Sequence, residues 1–299
     1  MSQQELSAIL EQLRNLSWGE TPAEMRTNFE TGFAWPPHPT ATVEEVNANG
    51  VPAYLISTPA AQSKVILYLH GGGFIMGSRH SHRRIASDLS EAAKALVLLI
   101  DYRLAPEHPY PAALEDSLAA YHWLRETRGF SDSNIAIAGD SAGGNLVLST
   151  LLSLRDASKS LPAAALVMSP FLDLQGTGST FQTKTDVDLM VTPELIETIV
   201  KMYVPNDNPS EPTVSPLYAD LSGLPPMLIH VGNQEILLDD SLRLARKAAL
   251  EDVSVELKVW KDMIHCHHLF APILEEGRQA ITEAGAFLAG YLNSHQETN

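Results

Sequence analysis

The sequence has little of what marks several large classes of protein. Cys266 is its one cysteine among 299 residues, which excludes an internal disulfide framework and is typical of a reducing compartment. No apolar run approaches the length of a membrane-spanning helix. Basic residues number 20 against 36 acidic ones, for a formal net charge of −16. This argues against nucleic acid or an anionic membrane as a partner, because both require a basic surface.

The amino terminus also lacks a targeting signature. Residues 1–6 are polar and acidic, without the basic start and apolar core of a secretory signal peptide. Together with the single cysteine, this predicts a cytoplasmic protein. The apolar fraction of 44% is enough for one large globular domain, or for one domain that carries a cap.

Apolar strands and amphipathic helices alternate from about Val43 onward. This alternation predicts an α/β protein with a mostly parallel sheet that helices cover on both faces. The predicted strands are 51–57, 64–70, 95–101, 134–138, 163–169, 225–231 and 255–260. The predicted helices are 3–17, 81–94, 111–128, 239–250 and 277–293, with others after Thr21-Pro22, Ser141 and Thr192-Pro193.

Two segments lie outside this alternation. Residues 1–42 hold two predicted helices, and the pattern stops again at about 171–216. We therefore predict N-terminal cap helices over 1–42 and a catalytic domain over 43–299 with a cap insertion at about 171–216. The cap would cover the strand ends, where α/β sheets bind ligands. The aromatic residues of the first segment either line a lid or anchor it to the core: Trp18, Phe29, Phe33 and Trp35.

A candidate nucleophile lies where a strand passes into a helix. Ser141 stands between Gly139 and Gly143 in a G-x-S-x-G pattern. Such an elbow strains the serine backbone and exposes its Oγ above the sheet, and the glycines let strand and helix pass close together. The amide of Ala142 would point at a developing oxyanion. The pattern alone also fits a glycine-rich turn with an incidental serine.

A second glycine-rich motif, His70-Gly71-Gly72-Gly73, ends the strand at 64–70. It matches the H-G-G-G oxyanion motif of lipases and esterases. We predict that the amides of Gly72 and Gly73 join that of Ala142 as oxyanion donors. Gly71 lets the backbone turn, and His70 shapes the loop rather than acting as the base.

An acid and a histidine follow in the order that α/β-hydrolases use. Glu235 comes just after the strand at 225–231, and His265 is the first histidine after the strand at 255–260. Asp239 and Asp240 are rival acids, although capping of the next helix suits them better. We predict a triad of Ser141, Glu235 and His265, with Asp239 as the alternative acid.

The residues around His265 admit other chemistry. His267 and His268 make a histidine cluster, but His-x-His-His lacks the helical i, i+4 pairing of a zinc site. We therefore predict no metal. Cys266 is not expected to be a nucleophile, because no glycine-framed turn presents it.

Four motifs in order resemble the bacterial hormone-sensitive lipase family of α/β-hydrolases. They are HGGGF at 70–74, DYRLAPEHPYPAA at 101–113, GDSAGGN at 139–145 and MIH at 263–265, and the resemblance runs from about residue 40 to the C-terminus. It implies the α/β-hydrolase fold, an eight-stranded sheet, a helical cap, activity on short-acyl esters and no cofactor. Many members carry aspartate where this chain has Glu235.

The predicted function is hydrolysis of short- to medium-chain carboxylic esters through an acyl-enzyme on Ser141. An amidase, lactonase or deacetylase with the same triad is the alternative, because the triad does not select the acyl substrate. A receptor on the same fold is the other alternative. The gibberellin receptors of plants are similar to this family but lack the triad histidine, so His265 argues against it. The expected partners are a small-molecule ester and a second copy in a homodimer.

Charged residues near these motifs have structural explanations. Arg103, Glu107 and Asp116 lie in or beside a segment expected to be buried. We expect structural salt bridges there rather than a catalytic role, because a paired buried charge is costly to break. Asp140, next to the nucleophile, is expected to steady the oxyanion loop by hydrogen bonds.

Overall fold

The computed structural model describes residues 3–206 and 208–293. Residues 1–2, 207 and 294–299, which the predicted domains include, lie outside the described residues. Eight strands form a single sheet: β1 (Thr42–Ala48), β2 (Val51–Ser57), β3 (Gln62–Leu69), β4 (Ala95–Ile100), β5 (Ile135–Asp140), β6 (Ala164–Met168), β7 (Met227–Gly232) and β8 (Val255–Trp260).

The strand order is β1-β2-β4-β3-β5-β6-β7-β8. β1 pairs antiparallel with β2, and β2 pairs antiparallel with β4. Every later pairing is parallel, so the predicted mostly parallel sheet is confirmed. The carboxyl ends of β3 and β5 to β8 therefore meet along one edge of the sheet, and each predicted site residue ends or follows one of these strands.

Nine helices accompany the sheet in the described part of the chain: α1 (Gln3–Arg14), α2 (Pro22–Phe33), α3 (Arg83–Ala93), α4 (Ala112–His122), α5 (Ala142–Asp156), α6 (Thr180–Thr183), α7 (Pro193–Tyr203), α8 (Leu238–Leu250) and α9 (Glu275–Asn293). α3 packs against α9, and α4 packs against α5. Every residue of β5 and β6 is buried, because helices cover these strands on both sides. None of the described helices has the length and apolarity needed to cross a bilayer.

Helix starts follow the predicted local chemistry. Thr21 caps α2 in a capping box, with Pro22 in the first turn. Thr192 accepts a hydrogen bond from the amide of Leu195 at the start of α7. The helix predicted over 111–128 is shorter, because α4 ends at His122 and a π-helical turn follows over Trp123–Thr127.

The charged residues of the 101–113 segment form the predicted salt bridges, but the expectation that they are buried was wrong for Arg103 and Glu107, which are exposed. Arg103 Nη2 lies 2.9 Å from Asp116 Oδ1, which joins the loop after β4 to α4. Arg26 Nη1 donates to Glu107 Oε1 at 2.9 Å, and this bond holds α2 against the same loop. The hydrogen bond from Arg26 lowers the pKa of Glu107 to about 2.

Candidate active site

Ser141 occupies the tight turn between β5 and α5. Its backbone adopts φ +52° and ψ −118°, a region that L-residues rarely occupy and one that stores strain. A Cβ at Gly139 would collide with the carbonyl of Gly143, and one at Gly143 would collide with the carbonyl of Leu69. The predicted close passage of strand and helix at this elbow is confirmed.

The glycine loop after β3 faces this turn. Gly72 has φ +112° and Gly73 has φ +61°, which turns the backbone beside Ser141. Across residues 3–206 and 208–293, the amides of Gly72, Gly73 and Ala142 donate to no backbone carbonyl. Gly72, Gly73 and Ser141 line one cavity. Three amides without a backbone acceptor therefore lie at or next to the serine.

Asp140 fastens the glycine loop to the elbow. Its Oδ1 accepts hydrogen bonds from the Gly71 amide at 3.1 Å and from the Tyr68 hydroxyl at 2.8 Å. Its Oδ2 lies 3.3 Å from His82 Nε2. Burial raises the pKa of Asp140, but the charge and hydrogen bond of His82 and the Tyr68 bond outweigh it, and the net pKa is lowered. The lowered pKa keeps the carboxylate ionised, and its bond to the Gly71 amide joins the elbow to the glycine loop.

His70 is locked into the loop. Its Nδ1 lies 2.7 Å from the Gly71 carbonyl, and its ring stacks on Tyr102 with centroids 4.1 Å apart. Burial is the main cause that lowers its pKa to about 3. A neutral ring held at this carbonyl shapes the backbone, in line with the role predicted for it.

Glu235 and His265 meet above the ends of β7 and β8. His265 Nδ1 lies 2.8 Å from Glu235 Oε2, and their exposed fractions are 4% and 0%. Burial lowers the pKa of His265, but the hydrogen bond and charge of Glu235 raise it more, and the net pKa lies above its ordinary value. The ring therefore donates its Nδ1–H to the carboxylate, which leaves Nε2 free to take a proton.

Ser169 is a member of this site that the sequence did not reveal. It directly follows β6, and its hydroxyl donates to Glu235 Oε1 at 2.8 Å while accepting the Cys266 amide at 3.1 Å. The Gly232 amide donates to the same Oε1 at 2.7 Å. Its position one residue beyond β6, between the strands that carry Ser141 and Glu235, is the signal that would have found it.

His265 Nε2 faces a sulfur rather than the serine. It lies 3.4 Å from Cys266 Sγ, and no hydrogen bond to Ser141 is present among the described residues. Ser141 and His265 nevertheless line the same cavity. Catalytic hydrogen bonds are often long in substrate-free enzymes. Burial raises the pKa of the Cys266 thiol well above its ordinary value, which keeps it protonated and a poor nucleophile.

The rival acids bind backbone amides elsewhere. Asp240 Oδ2 accepts the amides of Leu172 and Asp173, and Asp239 Oδ2 accepts the amide of Ser179. The prediction that they cap α8 was wrong: the cap position is Leu237, and it has no side-chain bond. Both lie in the first turn of α8, but their carboxylates hold the segment after β6 instead.

Asp188 also fastens loops near the site, and the sequence did not reveal it. Its Oδ2 accepts a hydrogen bond from the amide of Ile236 at 2.8 Å. Its Oδ1 accepts hydrogen bonds from the amides of Met190 and Val191 at 2.9 Å each. It thus joins the insertion to the loop that carries Glu235.

The other histidines of the cluster point away from Ser141. His268 Nε2 lies 3.1 Å from His230 Nδ1, and His267 packs beside Trp260 with ring centroids 5.3 Å apart. No group of three His, Cys, Asp or Glu side chains in the described ranges is arranged to hold a metal ion.

An apolar cleft opens onto Ser141 and His265. Both segments outside the alternating pattern contribute to its walls. The contributors from residues 1–42 are Trp18 and Phe29, and those from the insertion include Met190, Val191, Leu195 and Ile199. Trp18 and Phe29 thus line the cleft, while Phe33 anchors its segment against Phe270.

Comparison with known proteins gives a consistent result. A family model described as the alpha/beta hydrolase fold matches residues 66–269. An acetyl-hydrolase of Streptomyces hygroscopicus is 41% identical over 254 residues, which cover 85% of this chain and 83% of that protein.

Solved structures agree closely with the fold. A crystal structure of an esterase from the bacterial hormone-sensitive lipase family superposes with a TM-score of 0.95 at 42% identity, covering 98% of this chain and 99% of that one. The esterase EstE5, soaked with p-nitrophenyl butyrate, superposes with a TM-score of 0.93 at 42% identity, covering 96% and 98%. The chain therefore belongs to the alpha/beta hydrolase family, among the bacterial hormone-sensitive lipase esterases, and is a carboxylic ester hydrolase.

Proposed function

We propose that the protein hydrolyses short- to medium-chain carboxylic esters with Ser141 as nucleophile, His265 as general base and Glu235 as the acid of the triad. The buried hydrogen bond between Glu235 and His265, in the cleft that Ser141 lines, is the observation that carries this assignment. Gly72, Gly73 and Ala142 supply the oxyanion donors. Each such donor is worth about 3–4 kcal/mol of transition-state stabilisation.

Acylation begins when His265 Nε2 takes the proton of Ser141 Oγ as that oxygen bonds to the acyl carbon. This requires the hydroxyl to replace Cys266 Sγ as the neighbour of Nε2. The carbonyl oxygen gains the negative charge and lies among the three amides. The bond from the acyl carbon to the alkoxy oxygen then breaks, and His265 gives its proton to the leaving alcohol.

Deacylation repeats these steps with water. His265 Nε2 takes a proton from water as the water oxygen bonds to the acyl carbon, and Ser141 Oγ recovers that proton as it leaves. Glu235 keeps the proton of the ring on Nδ1 throughout and stabilises the imidazolium. No cofactor enters this cycle.

The cleft favours an apolar acyl group of limited length. Ile199 lies directly over Gly73, with its Cδ1 2.5 Å from where a Cβ on that glycine would stand. The space above the oxyanion loop is therefore narrow. The similarity to a protein named acetyl-hydrolase and to an esterase soaked with p-nitrophenyl butyrate supports the same preference.

We propose that residues 1–42 and the insertion at about 171–216 form one cap over the catalytic domain, 43–299. Both segments line the cleft, and charged side chains attach both segments to the catalytic domain. Arg26 bonds to Glu107 on one side, and Asp188 bonds to the amide of Ile236 on the other.

A homodimer and a cytoplasmic location are further proposals. β8 pairs with β7 on one side only, and it exposes 36% of Leu257 and 40% of Val259. An exposed apolar edge strand is a template for pairing with another chain, here a second copy. The single buried cysteine suits a reducing compartment.

Replacing the triad acid tests the choice between Glu235 and Asp239. Glu235→Gln should lower kcat for p-nitrophenyl butyrate by about 10⁴-fold, because the amide no longer fixes the imidazole tautomer. Asp239→Asn should leave kcat within about threefold of wild type, and Ser141→Ala should abolish turnover. Steady-state kinetics of the three variants would contradict the triad if Asp239→Asn were the more damaging acid substitution.

The pH profile should show the environment of His265. The base acts only when neutral, so kcat/KM falls as the pH drops through the pKa of His265 in the free enzyme. The raised pKa places this limb above that of an ordinary histidine. Glu235→Gln removes the cause of the elevation and should move the limb to lower pH. An unchanged limb in the residual activity of that variant would assign the titration to another group.

Shortening Ile199 should widen acyl selectivity. Ile199→Ala should raise the rate on p-nitrophenyl dodecanoate relative to the butyrate by about tenfold, because the side chain over Gly73 is reduced. Val200→Ala is the matched control: its side chain lies outside the cleft of Ser141, and the ratio should not change. If the ratio of the dodecanoate rate to the butyrate rate were the same in wild type and both variants, Ile199 would not set the limit on acyl-chain length.

An edge-strand charge should separate the dimer. Light scattering should give the mass of two chains for wild type and of one chain for Val259→Asp, because a buried carboxylate opposes strand pairing. Val187→Asp changes an equally exposed valine in the insertion and should remain dimeric. A monomeric wild type, or a dimeric Val259→Asp, would refute pairing through β8.

A further inference from the structure

His82 is a fully buried histidine to which the triad gives no role. It directly precedes α3, has an exposed fraction of 0% and makes no side-chain capping bond to that helix. Its Nε2 lies instead 3.3 Å from Oδ2 of Asp140, the residue before the nucleophile. Because an ionised carboxylate only accepts hydrogen bonds, this ring nitrogen must donate.

The other ring nitrogen is also placed to donate. His82 Nδ1 lies 3.1 Å from Ser81 Oγ. That hydroxyl donates its single proton to the Ser78 carbonyl at 3.0 Å and accepts the Ser78 amide at 2.9 Å. Because the only proton of this hydroxyl is used in the bond to Ser78, the hydroxyl can only accept a hydrogen bond from the His82 ring. The contacts are all satisfied when both nitrogens of His82 carry a proton, which makes the ring the counter-ion of the buried Asp140.

Asp140 connects His82 to the loop that holds the proposed oxyanion donors. Its second oxygen accepts the Gly71 amide, and Gly71 begins the loop that carries the proposed donors Gly72 and Gly73. A buried carboxylate without its cation would turn or take up a proton. A turned carboxylate would break the bond from the Gly71 amide, and a proton on Oδ2 would weaken it by removing the charge.

We propose that His82 is a positioning residue for ester hydrolysis, which holds the Asp140 carboxylate so that the Gly71–Gly73 loop keeps its amides beside Ser141. This proposal rests on the oxyanion hole proposed above. His82 acts through Asp140 and touches no substrate.

The cap lies against the same ring. Phe29 of α2 stacks on His82 with centroids 5.8 Å apart and an interplanar angle of 16°, and Phe29 also lines the cleft. The imidazole therefore lies between the cap helix and the carboxylate. The His82 ring stacks on Phe29 on one side, and its N–H donates to Asp140 on the other. The test therefore uses one variant that removes the ring and one that keeps a ring without a donor.

The test compares His82→Gln, which removes the charge, with His82→Phe, which keeps a stacking ring but removes both donors. Each should lower kcat for p-nitrophenyl butyrate about tenfold or more while KM stays within about twofold, because the amides act in the transition state. The inhibition constant of an alkyl trifluoromethyl ketone, which forms an oxyanion on Ser141, should rise by the same factor as kcat falls.

His80→Gln is the matched control, since His80 is an exposed histidine of the same loop whose Nδ1 contacts the Tyr54 hydroxyl at 3.0 Å. It should change neither constant by more than about twofold. The proposal is overturned if His82→Gln keeps its kcat, if His80→Gln loses as much, or if kcat falls without weaker binding of the ketone. The last result would mean a general loss of structure.

A measurement on wild type covers the case in which neither variant folds. With ¹⁵N-labelled histidine, His82 identified by its contact with the Phe29 ring should show a proton on each ring nitrogen at pH 7. An unprotonated Nε2 overturns the proposal, because it cannot donate to Asp140. Failure of the proposed function is distinguishable, since wild type would then not be labelled on Ser141 by a fluorophosphonate.

Discussion

The near-contact of β5 and α5 at Ser141 is the constraint on which the rest of the active site depends. Bare glycines at 139 and 143 let the strand and helix backbones touch, and the turn between them drives Ser141 to φ +52°. This conformation costs free energy of about 1–3 kcal/mol, and it persists only because the surrounding structure fixes it. In return, the serine stands above the edge where the parallel strands end.

Buried carboxylates fasten the loops around that serine. Asp140 binds the glycine loop, and Glu235 binds His265. Asp188 of the insertion binds the amide of Ile236, and Asp240 binds the amide of Leu172 in the insertion. A carboxylate in the interior is costly unless donors surround it, and most donors here are backbone amides of neighbouring loops. The same charges that would destabilise the core therefore fix the relative positions of cap, oxyanion loop and triad.

The parts of the site that depend on local geometry were predictable from sequence. The elbow at Ser141, the loop at 70–73 and the capped starts of α2 and α7 each follow from a few adjacent residues. The choice between Glu235 and Asp239 was not, because both follow the same strand and only the tertiary position of His265 separates them. Ser169 and His82 were missed because their hydrogen-bond partners are distant in the chain: Glu235 lies 66 residues from Ser169, and Asp140 lies 58 residues from His82.

Helix ends were less predictable than the elements themselves. Trp123 and Leu124 continue the apolar face, so sequence alone extends α4 past the point where its hydrogen bonding changes to a π-helical turn over Trp123–Thr127. Asp239 and Asp240 looked like capping residues because they stand at a helix start. Their carboxylates instead accept hydrogen bonds from backbone amides of the segment after β6. The sequence pattern does not show that these amides lie within reach.

The central claim is that the ester bond is broken through an acyl group on Ser141. Rapid acid quenching of the enzyme during turnover of p-nitrophenyl butyrate, followed by peptide mass spectrometry, tests it directly. The account predicts one butyryl group per chain, located on the peptide that holds Ser141 and lost with time as the substrate is consumed. A butyryl group on Cys266 in its place, or steady turnover with no acylated peptide at any time, would contradict it.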